Sequence, residues 1–207
     1  PFVVTWLDKR EDDNERSTLL KLVEKYVPPT LEAVKKIFKT TVPIVQINMV
    51  CTLCYLLDGL LGDGTHKATL DENAIEATFV FASVWAFGGA LLADKSMDHR
   101  DAFSKWWVEE FKTIKFPEEG EVYDYRLEKT PGGMTMTPWT FDDYTHVANV
   151  PIGTLFVQTS ETARLSYMLD LLMQYNRSAM FVGNAGTGKT VVMRQKLMSL
   201  DPDEYNV

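Results

Sequence analysis

The segment Gly183-Asn184-Ala185-Gly186-Thr187-Gly188-Lys189-Thr190 constrains the structure of this chain more than any other. It fits the pattern G-x-x-x-x-G-K-[ST], in which glycines let the backbone turn so that several N–H groups point inward. The apolar run 179–182 before it predicts a short buried strand, and residues 188–200 after it predict a helix. A strand, a glycine loop and a helix in this order predict a phosphate-binding loop, because the loop amides and the positive helix N-terminus converge on one anion.

This loop pattern assigns separate roles to its side chains and backbone. Lys189 is expected to reach the β- and γ-phosphates of a nucleotide, and the Thr190 hydroxyl is expected to ligate Mg²⁺. The expected cofactors are therefore ATP or ADP with Mg²⁺. The residues expected to bind them are Gly183, Asn184, Ala185, Gly186, Thr187, Gly188, Lys189 and Thr190. Two alternatives stay open: a loop that binds nucleotide without hydrolysing it, and a glycine turn with an exposed lysine.

Hydrolysis needs acidic residues on a later strand, the Walker B strand, to hold Mg²⁺ and polarise water. Residues 191–207 predict only a helix and a tail, and Asp201 and Glu204 follow that helix directly. We therefore expect half of a nucleotide site, with no catalytic residue within the 207 residues. The start at Pro1 and the end at Val207 lead us to expect a window on a larger chain.

Composition restricts the function classes. The net charge is -8, which argues against nucleic acid as a partner, because phosphate backbones attract basic surfaces. No apolar run approaches the ~20 residues of a membrane span, and the richest stretch, 77–93, predicts a buried helix. Cys51 and Cys54 could form half of a zinc site or a redox motif, but no further cysteine and no nearby histidine completes a zinc site. We expect both to pack as small apolar side chains in a reducing compartment.

Hydrophobic periodicity predicts helices through the first 115 or so residues. One helix should end at Pro28-Pro29, with Thr30 capping the next. Further helices are predicted near 44–61, from an N-cap at Asp71 through Leu92, and over 98–114.

From Pro117 the composition changes. Residues 121–127 predict a strand, and 134–139 are expected to pair with it across a turn at 130–133. Residues 154–158 predict an extended segment, and Thr159 should cap a helix over 161–175.

Other candidate residues have weaker patterns. His66, His99 and His146 are scattered without ligand spacing, and are expected to be surface or core histidines. Trp106-Trp107 could mark an interface, although core packing is the favoured interpretation. The hydroxyls of residues 159, 160 and 162 could edge an adenine pocket, although helix capping explains them equally well.

Four stretches resemble dynein heavy chains, and the axonemal ones of outer-arm type in particular. They are FASVWAFGGAL at 81–91, FSKWWVEEFKTIKFP at 103–117, GEVYDY at 120–125 and VQTSETAR at 157–164. The resemblance implies an α/β fold that is mainly helical: an AAA+ helical lid followed by the incomplete start of a P-loop α/β subdomain. It implies that residues 1–116 form the end of the second AAA+ module and that residues 154–207 begin the third. Residues 117–153 would connect the two modules.

The same resemblance implies a function. The parent chain would be an ATP-driven, minus-end-directed microtubule motor of cilia and flagella, located in the cytoplasm, the cytoskeleton and the axoneme. Its partners would be neighbouring AAA+ modules, intermediate and light chains, and microtubules, with no nucleic acid and no membrane. This nucleotide site would be regulatory. The alternatives are a stand-alone P-loop NTPase or phosphotransferase, and a non-catalytic helical scaffold with a vestigial loop.

Overall fold

The computed structural model describes residues 1–62, 70–131, 133–141 and 156–201. His66, His146 and Glu204, and the predicted extended segment up to residue 155, lie outside these ranges. The elements in chain order are α1 (Phe2–Leu7), α2 (Asp13–Lys36), α3 (Gln46–Leu61), α4 (Glu72–Gly88), α5 (His99–Glu110), β1 (Tyr125–Thr130), β2 (Gly133–Pro138), α6 (Ser160–Gln174) and α7 (Lys189–Met198). The mainly helical α/β fold is confirmed.

Helix α2 continues through Pro28 and Pro29, so the predicted break into two helices is wrong. A proline inside a helix removes a backbone hydrogen bond and costs about 3 kcal/mol. The helix continues because residues on both sides of the prolines bury the same face, among them Tyr26 and Val34. Thr30 is not a cap: its hydroxyl donates to the Tyr26 carbonyl at 2.7 Å.

Helix α4 is the centre of the lid, the name used here for α1–α5 and the hairpin β1–β2. Residues on every face of α4 are buried, as the apolar composition of 77–93 predicted. Asp71 caps the helix as predicted, and its carboxylate accepts from the Ala74 amide at 2.7 Å. The helix ends at Gly88 rather than at Leu92, because the chain beyond it bonds to the segment that follows α2. There the Leu92 amide donates to the Lys39 carbonyl at 2.9 Å.

Helix α5 supplies the aromatic part of this core. Trp107 and Phe103 are completely buried, and Trp106 packs beside them, so the core-packing interpretation of the tryptophan pair is confirmed. His99 is also buried, at the start of the same helix. The helix stops at Glu110, before the predicted end at residue 114.

The hairpin β1–β2 is antiparallel, with Tyr125 opposite Pro138 and Thr130 opposite Gly133. It confirms the predicted pairing, although Gly132 in its turn lies outside the described ranges. The strand begins later than predicted, because residues 122–124 form a 3₁₀ turn. The Val122 amide donates to the Ser104 hydroxyl at 3.0 Å, which removes that amide from any strand ladder.

Helix α6 packs on α3, and α7 packs on α6. Thr159 caps α6 as predicted: its amide donates to the Thr162 hydroxyl at 2.8 Å, and its own hydroxyl accepts from the Thr162 amide at 3.3 Å. No helix within the described ranges is both long enough and apolar enough to cross a membrane.

Candidate phosphate-binding loop

Residues 183–188 form an exposed loop that leads directly into α7. Gly186 has φ +82° and Gly188 has φ +78°, the left-handed region that side chains with a Cβ rarely adopt. A Cβ at either position would meet no atom within 4 Å. The backbone conformation alone therefore requires glycine at these two positions.

The N-terminus of α7 presents amides without side-chain acceptors. Gly188 is the N-cap and makes no side-chain cap hydrogen bond. The Val192 amide is bonded to the Gly188 carbonyl at 3.0 Å, which starts the helical ladder after the first turn. First-turn amides and the helix dipole together favour an anion at this end.

The Lys189 ammonium lies over the loop that precedes it. Nζ donates to the Gly183 carbonyl at 2.8 Å, to the Asn184 carbonyl at 2.5 Å and to the Thr187 hydroxyl at 3.1 Å. Within the described ranges, no carboxylate forms an ion pair with this lysine. The ammonium is therefore held at the loop by neutral acceptors, and its charge is available to an anion.

Two hydroxyls of the loop differ in their hydrogen bonding. The Thr187 hydroxyl donates to the Asn184 carbonyl at 2.9 Å and so stabilises the turn. Thr190 is exposed in the first turn of α7, and its hydroxyl makes no hydrogen bond within the part of the chain that the structure describes. The second hydroxyl is therefore free to ligate a metal ion.

The strand predicted at 179–182 is wrong in this structure. These residues form no strand, and Met180 and Val182 are 79% and 41% exposed. A strand requires a neighbour to satisfy its backbone groups, and the described residues form only one sheet, the hairpin, which packs on α4. The predicted helix after the loop is confirmed as α7.

The loop is flanked by contacts with α6. Lys196 of α7 forms an ion pair with Asp170 of α6, and Val192 of α7 is buried. Helix α6 lies against α3, where a Cβ on Gly59 would come within 3.2 Å of the Leu171 side chain. The loop is thus connected through α6 to the lid.

Polar contacts fix α6 on the lid, and the sequence analysis did not anticipate them. Arg164 donates to the Asp124 carboxylate at 3.1 Å and to the Tyr123 carbonyl at 3.2 Å. Arg100 donates to Glu161 at 3.5 Å. Partners 40 and 61 residues apart share no local pattern, so periodicity could not reveal them.

The remaining candidates take structural positions. Cys54 is buried in α3 and Cys51 is half-buried, in agreement with packing as small apolar side chains. The described residues contain no cluster of three or more histidine, cysteine or acidic side chains able to hold a metal ion. The capping hydrogen bonds of Thr159 and Thr162 favour the capping interpretation; an adenine contact there stays a prediction.

Comparison with known families identifies both halves of the chain. The family model described as "Dynein heavy chain AAA lid domain" matches residues 19–140. The model described as "P-loop containing dynein motor region" matches residues 144–207. The first match alone covers more than half of the chain and coincides with the elements from α2 to β2.

The chain belongs to the dynein heavy chain family. It is 44% identical over 207 residues to "Dynein beta chain, flagellar outer arm" of Chlamydomonas reinhardtii, across 98% of this chain and 4% of that protein. It is 41% identical over 209 residues to "Dynein axonemal heavy chain 9" of Homo sapiens, across 100% of this chain and 5% of that protein. It is 42% identical over 205 residues to "Dynein beta chain, ciliary" of Heliocidaris crassispina, across 98% and 4%.

The chain therefore spans only a small part of the dynein heavy chains that it matches. Within that part, a AAA lid comes first and the start of a P-loop motor region follows, as the sequence predicted. The glycine loop of 183–190 lies in the dynein motor match.

Proposed function

We propose that residues 183–190 bind the phosphates of ATP or ADP with Mg²⁺. The observation that carries the proposal is the position of Lys189, whose ammonium contacts two loop carbonyls and has no carboxylate partner in the described ranges. A lysine held over a loop with left-handed glycines matches the chemistry of a nucleotide phosphate chain.

Each part of the loop has a distinct task in this proposal. The backbone of 183–188 provides N–H donors, and the left-handed Gly186 and Gly188 allow the turn that orients them. Lys189 exchanges its loop acceptors for phosphate oxygens, and the unpaired Thr190 hydroxyl ligates Mg²⁺. The metal ion neutralises phosphate charge when it is bound.

For the parent protein, we propose an ATP-driven, minus-end-directed microtubule motor of the outer-arm axonemal type, in cilia or flagella. The names of the relatives support this, since they are flagellar outer-arm, ciliary and axonemal dynein chains. Residues 1–116 would form the end of the second AAA+ module, and residues 154–207 would begin the third. Residues 117–153 would connect these two modules. The site would be regulatory, and intermediate chains, light chains and microtubules would be partners of the whole complex.

The test is nucleotide titration of the intact heavy chain with a readout local to this loop. Amide hydrogen exchange of peptides covering 183–198 is measured by mass spectrometry against rising Mg·ADP. The wild type should become protected at these amides, whereas Lys189→Ala should lose that protection. Lys21→Ala is a suitable control, because Lys21 is exposed on α2 and has no ion pair in the described part of the chain.

Unchanged exchange at 183–198 in the wild type at saturating nucleotide would refute the proposal and favour a vestigial loop. A Thr190→Ala variant tests the metal ligand. It should reduce the affinity gained from adding Mg²⁺, and leave the affinity measured with a chelator unchanged. Single-turnover hydrolysis then separates a site that hydrolyses from one that only binds.

A further inference from the structure

The carboxylate of Asp58, on α3, joins three separate segments of the chain. Its Oδ1 atom accepts from Trp6 Nε1 at 2.8 Å and from Arg10 Nη2 at 3.1 Å. Its Oδ2 atom lies 3.6 Å from Nη2 of Arg177, which follows α6 and precedes the phosphate loop. Asp58 is 8% exposed, whereas the Arg177 side chain is 38% exposed, so the carboxylate is buried and the guanidinium is partly in water. The lid and the approach to the loop thus meet at one buried carboxylate.

Arg177 is held through both its backbone and its side chain. Its amide donates to the Leu172 carbonyl of α6 at 2.8 Å, in a turn where Asn176 has φ +52°. Its guanidinium lies over the ring of Tyr55 on α3, with Cζ 4.3 Å from the ring centroid. Cation–π stacking and charge attraction therefore act on the same side chain, and both connect it to α3.

The segment between Arg177 and the loop is short and unattached. Within the described ranges, no hydrogen bond or ion pair connects residues 178–182 to the rest of the protein. On the other side of the loop, Lys196 pairs with Asp170 of α6. Arg177 is consequently the last polar attachment to the lid before the backbone reaches Gly183.

We propose that Arg177 is a positioning residue for the phosphate loop, and that its contact with Asp58 and Tyr55 couples nucleotide binding to helix α3. This proposal rests on nucleotide binding at 183–190. Coupling requires the ligand to favour one arrangement of the contact over another, and its effect is then reciprocal between loop and lid.

The geometry allows this contact to change without unfolding the lid. At 3.6 Å the Asp58–Arg177 pair is longer than a hydrogen bond, so it can tighten or loosen. Asp58 keeps Arg10 and Trp6 as partners in either case, so loss of Arg177 leaves no unpaired buried charge. An Arg177→Gln variant is therefore expected to fold.

The experiment measures amide exchange in the intact heavy chain against rising Mg·ADP, at peptides covering 183–198 and at peptides covering α3. In the wild type, nucleotide should protect both regions. In Arg177→Gln, the concentration of half-protection at 183–198 should rise about three- to tenfold, and the nucleotide-dependent protection of α3 should be lost. Arg194→Gln is the matched control, since Arg194 is exposed on α7, carries the same charge and has no ion pair in the described part of the chain.

A second variant keeps the test decisive. Tyr55→Leu removes the ring under Arg177 and leaves both charges, so it should shift the half-protection concentration in the same direction by a smaller factor. Wild-type values for both variants, at both regions, would overturn the proposal. If Arg177→Gln unfolds α6, the Tyr55→Leu result alone decides. Failure of nucleotide binding itself is recognised separately, because the wild type would then show no protection at 183–198.

Discussion

Replacement of Gly88 by alanine should destabilise the lid, although alanine favours helices. Gly88 is the last residue of α4, where a Cβ would lie 2.1 Å from the Tyr123 hydroxyl and 2.8 Å from Cε1 of Phe103. Both neighbours are completely buried. Tyr123 cannot move easily, because Arg100 lies over its ring at 4.6 Å and Trp85 packs against it at 5.6 Å. Phe103 is enclosed by the rings of Phe38 at 5.5 Å and Trp107 at 5.6 Å.

The expected magnitude follows from two opposing effects. Overpacking a filled core typically costs about 1–3 kcal/mol, and distances this far below contact belong at the upper end of that range or above it. Alanine returns at most about 1 kcal/mol through its helix propensity. The free energy of unfolding should therefore fall by about 2 kcal/mol.

Urea unfolding of the purified 207-residue chain, followed by tryptophan fluorescence, measures this change. A double-mutant cycle with Tyr123→Phe isolates its cause. The buried Tyr123 hydroxyl has no hydrogen-bond partner among the described residues, so Tyr123→Phe alone should change stability by less than about 1 kcal/mol. In the Tyr123→Phe background, Gly88→Ala should cost less, because the closest clash is absent, although the contacts with Phe103 remain.

A Gly88→Ala chain as stable as the wild type would refute the packing argument. So would an equal loss of stability with and without the Tyr123→Phe substitution, since the hydroxyl would then play no part in the clash.

Three further predictions concern other parts of the lid. Asp71→Ala removes the N-cap of α4 and should lower the free energy of unfolding, measured by urea titration, by about 1 kcal/mol. Asp71→Asn should retain most of the stability that the cap contributes, because asparagine also caps helices. Burial raises the pKa of the Cys54 thiol to about 12, so Cys54 stays protonated at pH 8. Iodoacetamide at that pH should therefore label Cys51 before Cys54 in the folded chain, as measured by mass spectrometry. Equal labelling of the two cysteines would contradict the buried position of Cys54. Pro28→Ala should raise the free energy of unfolding by about 1 kcal/mol, because the exposed proline inside α2 lacks an amide donor for the helix. A melting temperature below that of the wild type would argue against a continuous helix.

Local chemistry accounts for the features that the sequence predicted correctly. Capping residues such as Asp71 and Thr159 bond to amides within three residues of themselves. An apolar run such as 77–93 is expected to be buried in any folded structure. The conformation of the glycine loop is likewise local, because Gly186 and Gly188 have left-handed backbones and Lys189 reaches back to Gly183. Pattern alone was therefore enough for most of the lid helices and the hairpin, whereas nucleotide binding at 183–190 stays a prediction.

Long-range contacts decided the rest. Pro28 and Pro29 predicted a helix break, yet burial of both halves of α2 against one core kept the helix continuous. The run 179–182 predicted a strand, yet strand formation depends on a neighbouring strand that the described residues do not supply.

The sequence by itself determined the family, the order of lid and P-loop segment, and the residues of the glycine loop, because these follow from short patterns. The tertiary structure alone placed Arg177 beside Asp58 and α6 on the lid. An ion pair between residues so far apart in the chain depends on how helices pack, and packing is decided by the whole core rather than by any local pattern.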